Sequence, residues 1–336
     1  MSVYLEVFRR TFREVHSTCE ALLQKSVNRK DSHLREMMSF VLAHQTASEY
    51  PYVFKYAFCR TEKDSPRILK LSAAVHLLQT SAFVTDDIFD ATSMRYGQPA
   101  IHKKYGVSYA IMATEILQCV GLETLSAELE RGRFQNKVLV LKILNQMMRE
   151  LYVGQYLDVY NTANLRMTRG EYDRVIGLGV GNFFQHLARC GALLAGRPEP
   201  EVRALAGFGY HYGMALFITD DIVDVVDRSK VTGKTYATDL KNRRMRLPVI
   251  LALQMAGDRD RKFLREVFGK SRLVSDDIER ARCIIRDCGA VDACRRSAKD
   301  HLSKGVRHLS RMRSSLTTRN FKWLSDTLLT AQRLEY

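Results

Sequence analysis

The amino-acid sequence predicts an all-α fold, a helical bundle of ten or more helices forming a single domain over residues 1–336. Three observations predict it. Apolar residues recur at spacings of three and four through most of the chain. No run alternates apolar and polar residues over the length a strand needs. The breaks between apolar stretches are short and carry Gly, Pro or Asn, and none of the 6 prolines marks a long linker.

Taken in order, residues 1–23 (MSVYLEVFRRTFREVHSTCEALL) form a charged amphipathic helix and lack the uninterrupted apolar core of a signal peptide. Residues 69–90 (LKLSAAVHLLQTSAFVTDDIFD) form a second, far more apolar helix, followed by the turn RYGQPA at 95–100. A third helical run, KVLVLKILNQMMRELYVGQYLDV, covers 137–159, and NTANLRMTRGE at 161–171 and GRPEPE at 196–201 read as loops. HYGMALFITDDIVDVVD at 211–227 is helical again and leads into the loop SKVTGKTYATD at 229–239. Hydrophobic residues make up 46%, enough for a sizeable core.

The 7 cysteines are scattered without a CxxC pair, which fits a reduced cytoplasmic protein better than a disulfide scaffold or a zinc site. No apolar run approaches the roughly 20 residues of a membrane span, so no transmembrane segment is expected. The formal charge is +15, with local density at Lys241, Arg243, Arg244 and Arg246 and again from Arg295 to Arg313. No nucleic-acid-binding module surrounds these groups, so nucleic acid is not an expected partner. They read as a solvated basic surface, with attraction of polyanionic substrates or an acidic membrane face as the alternative.

Two segments share one pattern: Asp86-Asp87-Ile-Phe-Asp90 and Asp220-Asp221-Ile-Val-Asp224. On an α-helix, positions i, i+1 and i+4 fall at 0°, about 100° and about 40° around the axis, so the three carboxylates are expected on one face. Asp227 falls there too. Like charges so placed destabilise a helix, and a bridging cation reverses the sign. Oxygen-only ligands favour a hard ion, Mg²⁺ above all, which keeps waters and shares its shell with substrate phosphates. The apolar lead-ins Ser81-Ala82-Phe83-Val84 and Ala215-Leu216-Phe217-Ile218 set both motifs at the mouth of a greasy channel. One DDxxD alone is common on surface helices; two, each ending an apolar helix, are not.

In order and spacing the chain resembles the trans-prenyl diphosphate synthases, the class I terpenoid synthase type of bundle, over roughly residues 30 to 300. The resemblance rests on DDIFDATSMRYGQPAIHKKYG at 86–106, Gly154-Gln155-Tyr156-Leu157-Asp158 for GQxxD, and DDIVDVVDRSKVTGKTYATDLKNRRMRLP at 220–248. It implies Asp86, Asp90 and Asp158 as ligands of two Mg²⁺ ions and Asp220 as ligand of a third, with Asp87, Asp221 and Asp224 completing the acidic rims. It implies Lys234, Arg95 and Arg244 as the clamp on an allylic diphosphate (dimethylallyl, geranyl or longer), and Gln155 in the catalytic set. Arg35, Gln79, Tyr96, Ser81 and Ala82 fall with the substrate-binding positions, and a homodimer is the implied assembly.

The departures remove two diphosphate-binding positive charges from the acceptor site and one from the donor site. Where the family has Gly-Gly-Lys-x-x-Arg, this chain reads Asp31-Ser32-His33-Leu34-Arg35, which keeps the arginine and lacks the lysine. The second arginine after the first motif is Tyr96; a family Lys-Thr falls on Gly179-Val180; the Gln that would face the cation is Phe217, whose ring could stabilise a carbocation or serve the core. Each charge-assisted contact is worth about 1.5–3 kcal/mol. The expected activity is therefore a Mg²⁺-dependent prenyltransferase that ionises one allylic diphosphate and couples it to a second prenyl diphosphate, including irregular head-to-middle (lavandulyl-type) coupling. An ordinary farnesyl- or geranylgeranyl-type elongating synthase, a terpene cyclase or lyase on the same fold, and a noncatalytic partner subunit are the alternatives. Small Ser81 and Ala82, about one turn below Asp86, predict a tunnel open to chains longer than ten carbons.

Overall fold

A computed structural model describes residues 3–43, 48–95, 97–226, 237–270, 273–310, 312–313 and 315–331. Tyr96, Asp227 and Lys234 lie outside the described residues. The helices are α1 (Val3–Ser26), α2 (Ser32–Ala43), α3 (Glu49–Phe58), α4 (Ser65–Phe89), α5 (Ile101–Lys104), α6 (Val107–Arg131), α7 (Lys137–Tyr160) and α8 (Arg169–Ile176). They continue as α9 (Asn182–Leu194), α10 (Glu199–Val226), α11 (Thr238–Lys241), α12 (Leu247–Met255), α13 (Asp258–Gly269), α14 (Ser275–Asp287), α15 (Ala290–Leu309) and α16 (Leu316–Ala331). The expected all-α fold is observed. The one departure from helix and loop among the described residues is a two-residue antiparallel ladder in the turn after the first motif, β1 (Met94–Arg95) with β2 (Gln98–Pro99).

The chain forms two compact units: Met1–Gln146 with His186–Ala206 and His308–Leu324, and Met147–Gln185 with Gly207–Arg307 and Ser325–Tyr336. In the first unit α4 is the central helix. Pro66 opens it, where a missing N–H costs nothing. From Ile68 to Asp87 it is buried almost all round, because α1, α3 and α6 pack against it. The segment Glu62–Phe89 is long and apolar enough to cross a membrane, yet most of it is buried inside the protein, as a core helix is. The amphipathic α1 lays Thr11, Val15, Cys19 and Leu23, one turn apart, against this core. Arg197 fastens the unit: its Nε donates to Ala57 O at 2.7 Å, and its Nη2 to Cys59 O at 2.9 Å and Thr317 Oγ1 at 2.8 Å.

In the second unit, Thr168 and Glu171 close a capping box that starts α8, with Glu171 N to Thr168 Oγ1 at 3.2 Å and Thr168 N to Glu171 Oε2 at 2.7 Å. Residues Gly177–Gly181 then widen into a π-turn between α8 and α9. The turn sits where backbones pack closely. A Cβ on Gly154 of α7 would lie 2.7 Å from Gly179 N, and one on Gly213 of α10 would lie 2.6 Å from Val180 O.

Candidate active site

The first motif ends α4. Asp90 is the C-cap residue, and its N–H still donates to Asp86 O at 2.9 Å, so Asp86 and Asp90 sit one turn apart on a common face. Both carry partial exposure, whereas the Asp87 side chain is only 4% exposed. The expectation of three carboxylates on one face is thus corrected to two. Asp87 is turned about 100° from Asp86 and meets Arg95, which the hairpin turn folds back onto it. Arg95 Nε donates to Asp87 Oδ2 at 2.7 Å and Nη2 to Asp87 Oδ1 at 2.6 Å, a two-bonded fork. The same Nη2 lies 3.8 Å from Asp86 Oδ2, and the guanidinium rests over the Phe83 ring at 5.1 Å. Arg95, expected to clamp substrate, is already gripped by a carboxylate.

A cleft of about 350 Å³ adjoins this pair, lined among others by Phe40, Phe83, Asp87, Arg95 and Pro99. Arg35 does not line it. About 140° round α2 from Phe40, Arg35 lines a separate cleft of about 290 Å³ with Glu20, Gln24 and Met38. Gln79 is buried, and its Oε1 takes a bond from Ser48 Oγ at 2.9 Å and lies 3.0 Å from His76 Nδ1. Ser81 and Ala82 are buried as well, with Ser81 Oγ donating to Leu78 O at 2.7 Å.

The second motif lies in α10 and turns one carboxylate outward and two inward. Asp220 is exposed, whereas Asp221 is 2% exposed. Asp221 Oδ2 accepts from Tyr172 Oη at 2.6 Å and from Leu247 N at 3.3 Å. Burial pushes the Asp221 carboxyl well up from its ordinary range, with Arg246 opposing, and pushes the Tyr172 hydroxyl up too, so Tyr172 is the donor. Asp224 accepts from Thr238 N at 2.8 Å and Asp239 N at 3.2 Å and so caps α11. Burial, then the Asp239 charge, raise its carboxyl to about 7.

Sequence reasoning missed the centre of this cluster. Arg246 Nη1 donates to Asp158 Oδ1 at 2.6 Å, and Nε lies 3.1 Å from Asp239 Oδ1 and 3.7 Å from Asp221 Oδ1. Its guanidinium also covers the Phe217 ring at 5.2 Å, so that face already carries a cation. Arg244 is 4% exposed, donates to Thr162 Oγ1 at 3.0 Å, and stands 3.7 Å from Asp158 Oδ2. The reading of Arg244 and Arg246 as part of a solvated basic surface is corrected: both are buried among carboxylates. Their crowding in DLKNRRMRLP was the available signal, but nothing local named Asp158 as the partner.

Among the described residues no three His, Cys, Asp or Glu side chains converge into a ready metal cage. Mg²⁺ takes one or two carboxylates and completes its shell with water and phosphate. The residues present fit such an ion in donor type: Asp86 and Asp90 offer hard oxygens one turn apart, and Asp220 offers another. Gln155 adds a buried Oε1 with no hydrogen-bond partner among the described residues, an acceptor suited to a donor or a cation.

An all-α scaffold with two apolar helices ending in DDxxD motifs matches, through its family, the transferases that act on prenyl diphosphates. The chain belongs to the polyprenyl synthetase family, whose profile matches residues 16–285. It is 29% identical over 247 residues to a geranylfarnesyl diphosphate synthase of Aeropyrum pernix, covering 73% of this chain and 76% of that protein. It is 28% identical over 250 residues to a geranylgeranyl diphosphate synthase of Methanosarcina mazei, covering 73% and 74%. In fold it is similar to a polyprenyl synthase of Caulobacter crescentus, solved with calcium and isoprenyl diphosphate. The TM-score is 0.88 at 21% identity, over 97% of this chain and 96% of that one. A geranylgeranyl pyrophosphate synthetase of Pyrococcus horikoshii gives 0.85 at 23%, over 98% and 99%.

Proposed function

We propose that the chain is a Mg²⁺-dependent synthase that ionises an allylic prenyl diphosphate and joins the resulting cation to a second prenyl diphosphate, the two units serving one reaction as a single catalytic domain. The observation that carries this reading is the split within both motifs: Asp86, Asp90 and Asp220 reach solvent while Asp87 and Asp221 are locked inside by Arg95 and Tyr172. The outward carboxylates are the proposed metal ligands. Divalent ions at such oxygens neutralise the charge that builds on a leaving diphosphate. Lys234 and Arg95 are proposed to add fixed positive charge, and the apolar residues before each motif keep water from the cation.

Regular elongation is the reading that the relatives favour, since those compared are named as synthases of geranylgeranyl and geranylfarnesyl diphosphates. Head-to-middle coupling is the second reading. Its support is that the one retained acceptor arginine, Arg35, lines a different cleft from Arg95, while Ser32 stands where the family has lysine. Incubation with labelled isopentenyl diphosphate and, separately, with allylic diphosphates alone, followed by product analysis, tests both. Linear products that require isopentenyl diphosphate support elongation; branched products from allylic substrate alone support irregular coupling; turnover undiminished in a chelator overturns the shared metal reading.

A second copy of the chain is the proposed partner, because α6 leaves Tyr109, Ile111, Met112 and Leu122 exposed at helical spacing. A monomer in sedimentation would reject that assembly. Seven free cysteines support the proposed cytoplasmic location.

A further inference from the structure

We infer that Arg246 is a resident cation standing in for one divalent ion at Asp158, so that the enzyme binds two ions with its diphosphate instead of the three the family resemblance implies. The inference rests on the proposed metal-assisted reading and concerns only how many ions it needs.

The four oxygens of Asp158 and Asp221 account for themselves. Asp158 Oδ1 takes a bond from Arg246 Nη1 at 2.6 Å, and Oδ2 faces Arg244 Nη1 at 3.7 Å. Asp221 Oδ2 takes bonds from Tyr172 and Leu247 N, and Oδ1 faces Arg246 Nε at 3.7 Å. Mg²⁺ holds oxygen at 2.0–2.1 Å, in typical sites, and demands near-octahedral approach. An ion on either oxygen of Asp158 would stand within a few ångströms of a guanidinium, and both oxygens face one. Arginine stays protonated even when buried, so the repulsion cannot be relieved by loss of a proton. Arg246 also lies beside a further carboxylate, with Nε 3.1 Å from Asp239 Oδ1, and against the Phe217 ring at 5.2 Å. A fixed guanidinium against three carboxylates does, without a diffusible ligand, what a bound ion would otherwise do there.

The test counts ions on the full chain. Mn²⁺ bound per chain is measured by electron paramagnetic resonance with geranyl thiodiphosphate, whose carbon–sulfur bond resists ionisation. Two ions are expected in the wild type and in Asp158→Asn, and three in Arg246→Gln. Arg246→Lys keeps a cation and should keep two; with Asp158→Asn it gives the answer if Arg246→Gln does not fold. Three ions in the wild type, a count that falls in Asp158→Asn, or a count that does not rise in folded Arg246→Gln would overturn the inference. No Mn²⁺ bound at all would reject the metal reading together with it.

Discussion

Gly154 of α7 and Gly179 of the π-turn pack backbone to backbone: a Cβ on Gly154 would come 2.7 Å from Gly179 N and 3.0 Å from Gly179 Cα. The relationship is one-sided, because a Cβ on Gly179 would meet nothing within 4 Å among the described residues. Gly154→Ala must therefore push the turn away and is expected to cost about 1–3 kcal/mol, the range for overpacking. Gly179→Ala, with open space and better helix propensity, should change stability by less than about 1 kcal/mol. Urea unfolding of the two variants checks this, and equal losses would contradict it.

Neighbouring aspartates should separate by phenotype. Asp86→Asn removes an outward carboxylate and is expected to abolish turnover with little change in stability. Asp87→Asn breaks a buried fork and leaves Arg95, itself 17% exposed, with the more distant Asp86 at 3.8 Å in place of a two-bonded partner, so it should cost about 3 kcal/mol. Thermal melts beside activity assays distinguish them; an Asp87→Asn protein as stable as wild type would mean the pair is not structural.

What the sequence made legible was periodic or local. The helices, the outward Asp86 and Asp90 one turn apart, and the loops flanked by Gly and Pro all follow from spacing. Asp87 and Asp221 were misplaced, since helical angle alone does not say which side is core, and the arginine that decides it for Asp87 arrives through a two-residue hairpin. The π-turn at 177–181 has no local signature, because it is set by packing on Gly154 and Gly213 rather than by propensity. Arg246 meets Asp158 across 88 residues, beyond any local pattern.

His76 should make the first unit acid-sensitive. It is wholly buried in α4, with Nδ1 3.0 Å from Gln79 Oε1 and Nε2 without a hydrogen-bond partner among the described residues. Burial lowers its pKa from 6.5 to about 4. The unfolded chain therefore binds the proton more tightly, so the stabilisation is full above about pH 6.5 and is lost as pH falls to about 4. At about 1.4 kcal/mol per unit, the loss approaches 3 kcal/mol. Stability measured from pH 7 to 4 should fall more steeply in wild type than in His76→Gln; parallel curves would show that the ring titrates normally.

The length of chain the enzyme accepts is expected to depend on Ser81 and Ala82. Both are small and buried in α4, about one turn below Asp86, where the head of an allylic chain is proposed to bind. Phe83, the next residue, does not block that path: its ring meets Tyr50 edge-on at 5.9 Å and the Arg95 guanidinium at 5.1 Å, so it belongs to the hairpin side. Ser81→Phe is expected to shorten the product or exclude long allylic substrates while sparing short ones. Overpacking could instead merely destabilise the helix, by about 1–3 kcal/mol. Ala82→Phe and a melting curve for each variant separate the two effects, since destabilisation alone lowers turnover of every substrate alike. A folded Ser81→Phe protein with unchanged product length would show that the tail runs elsewhere.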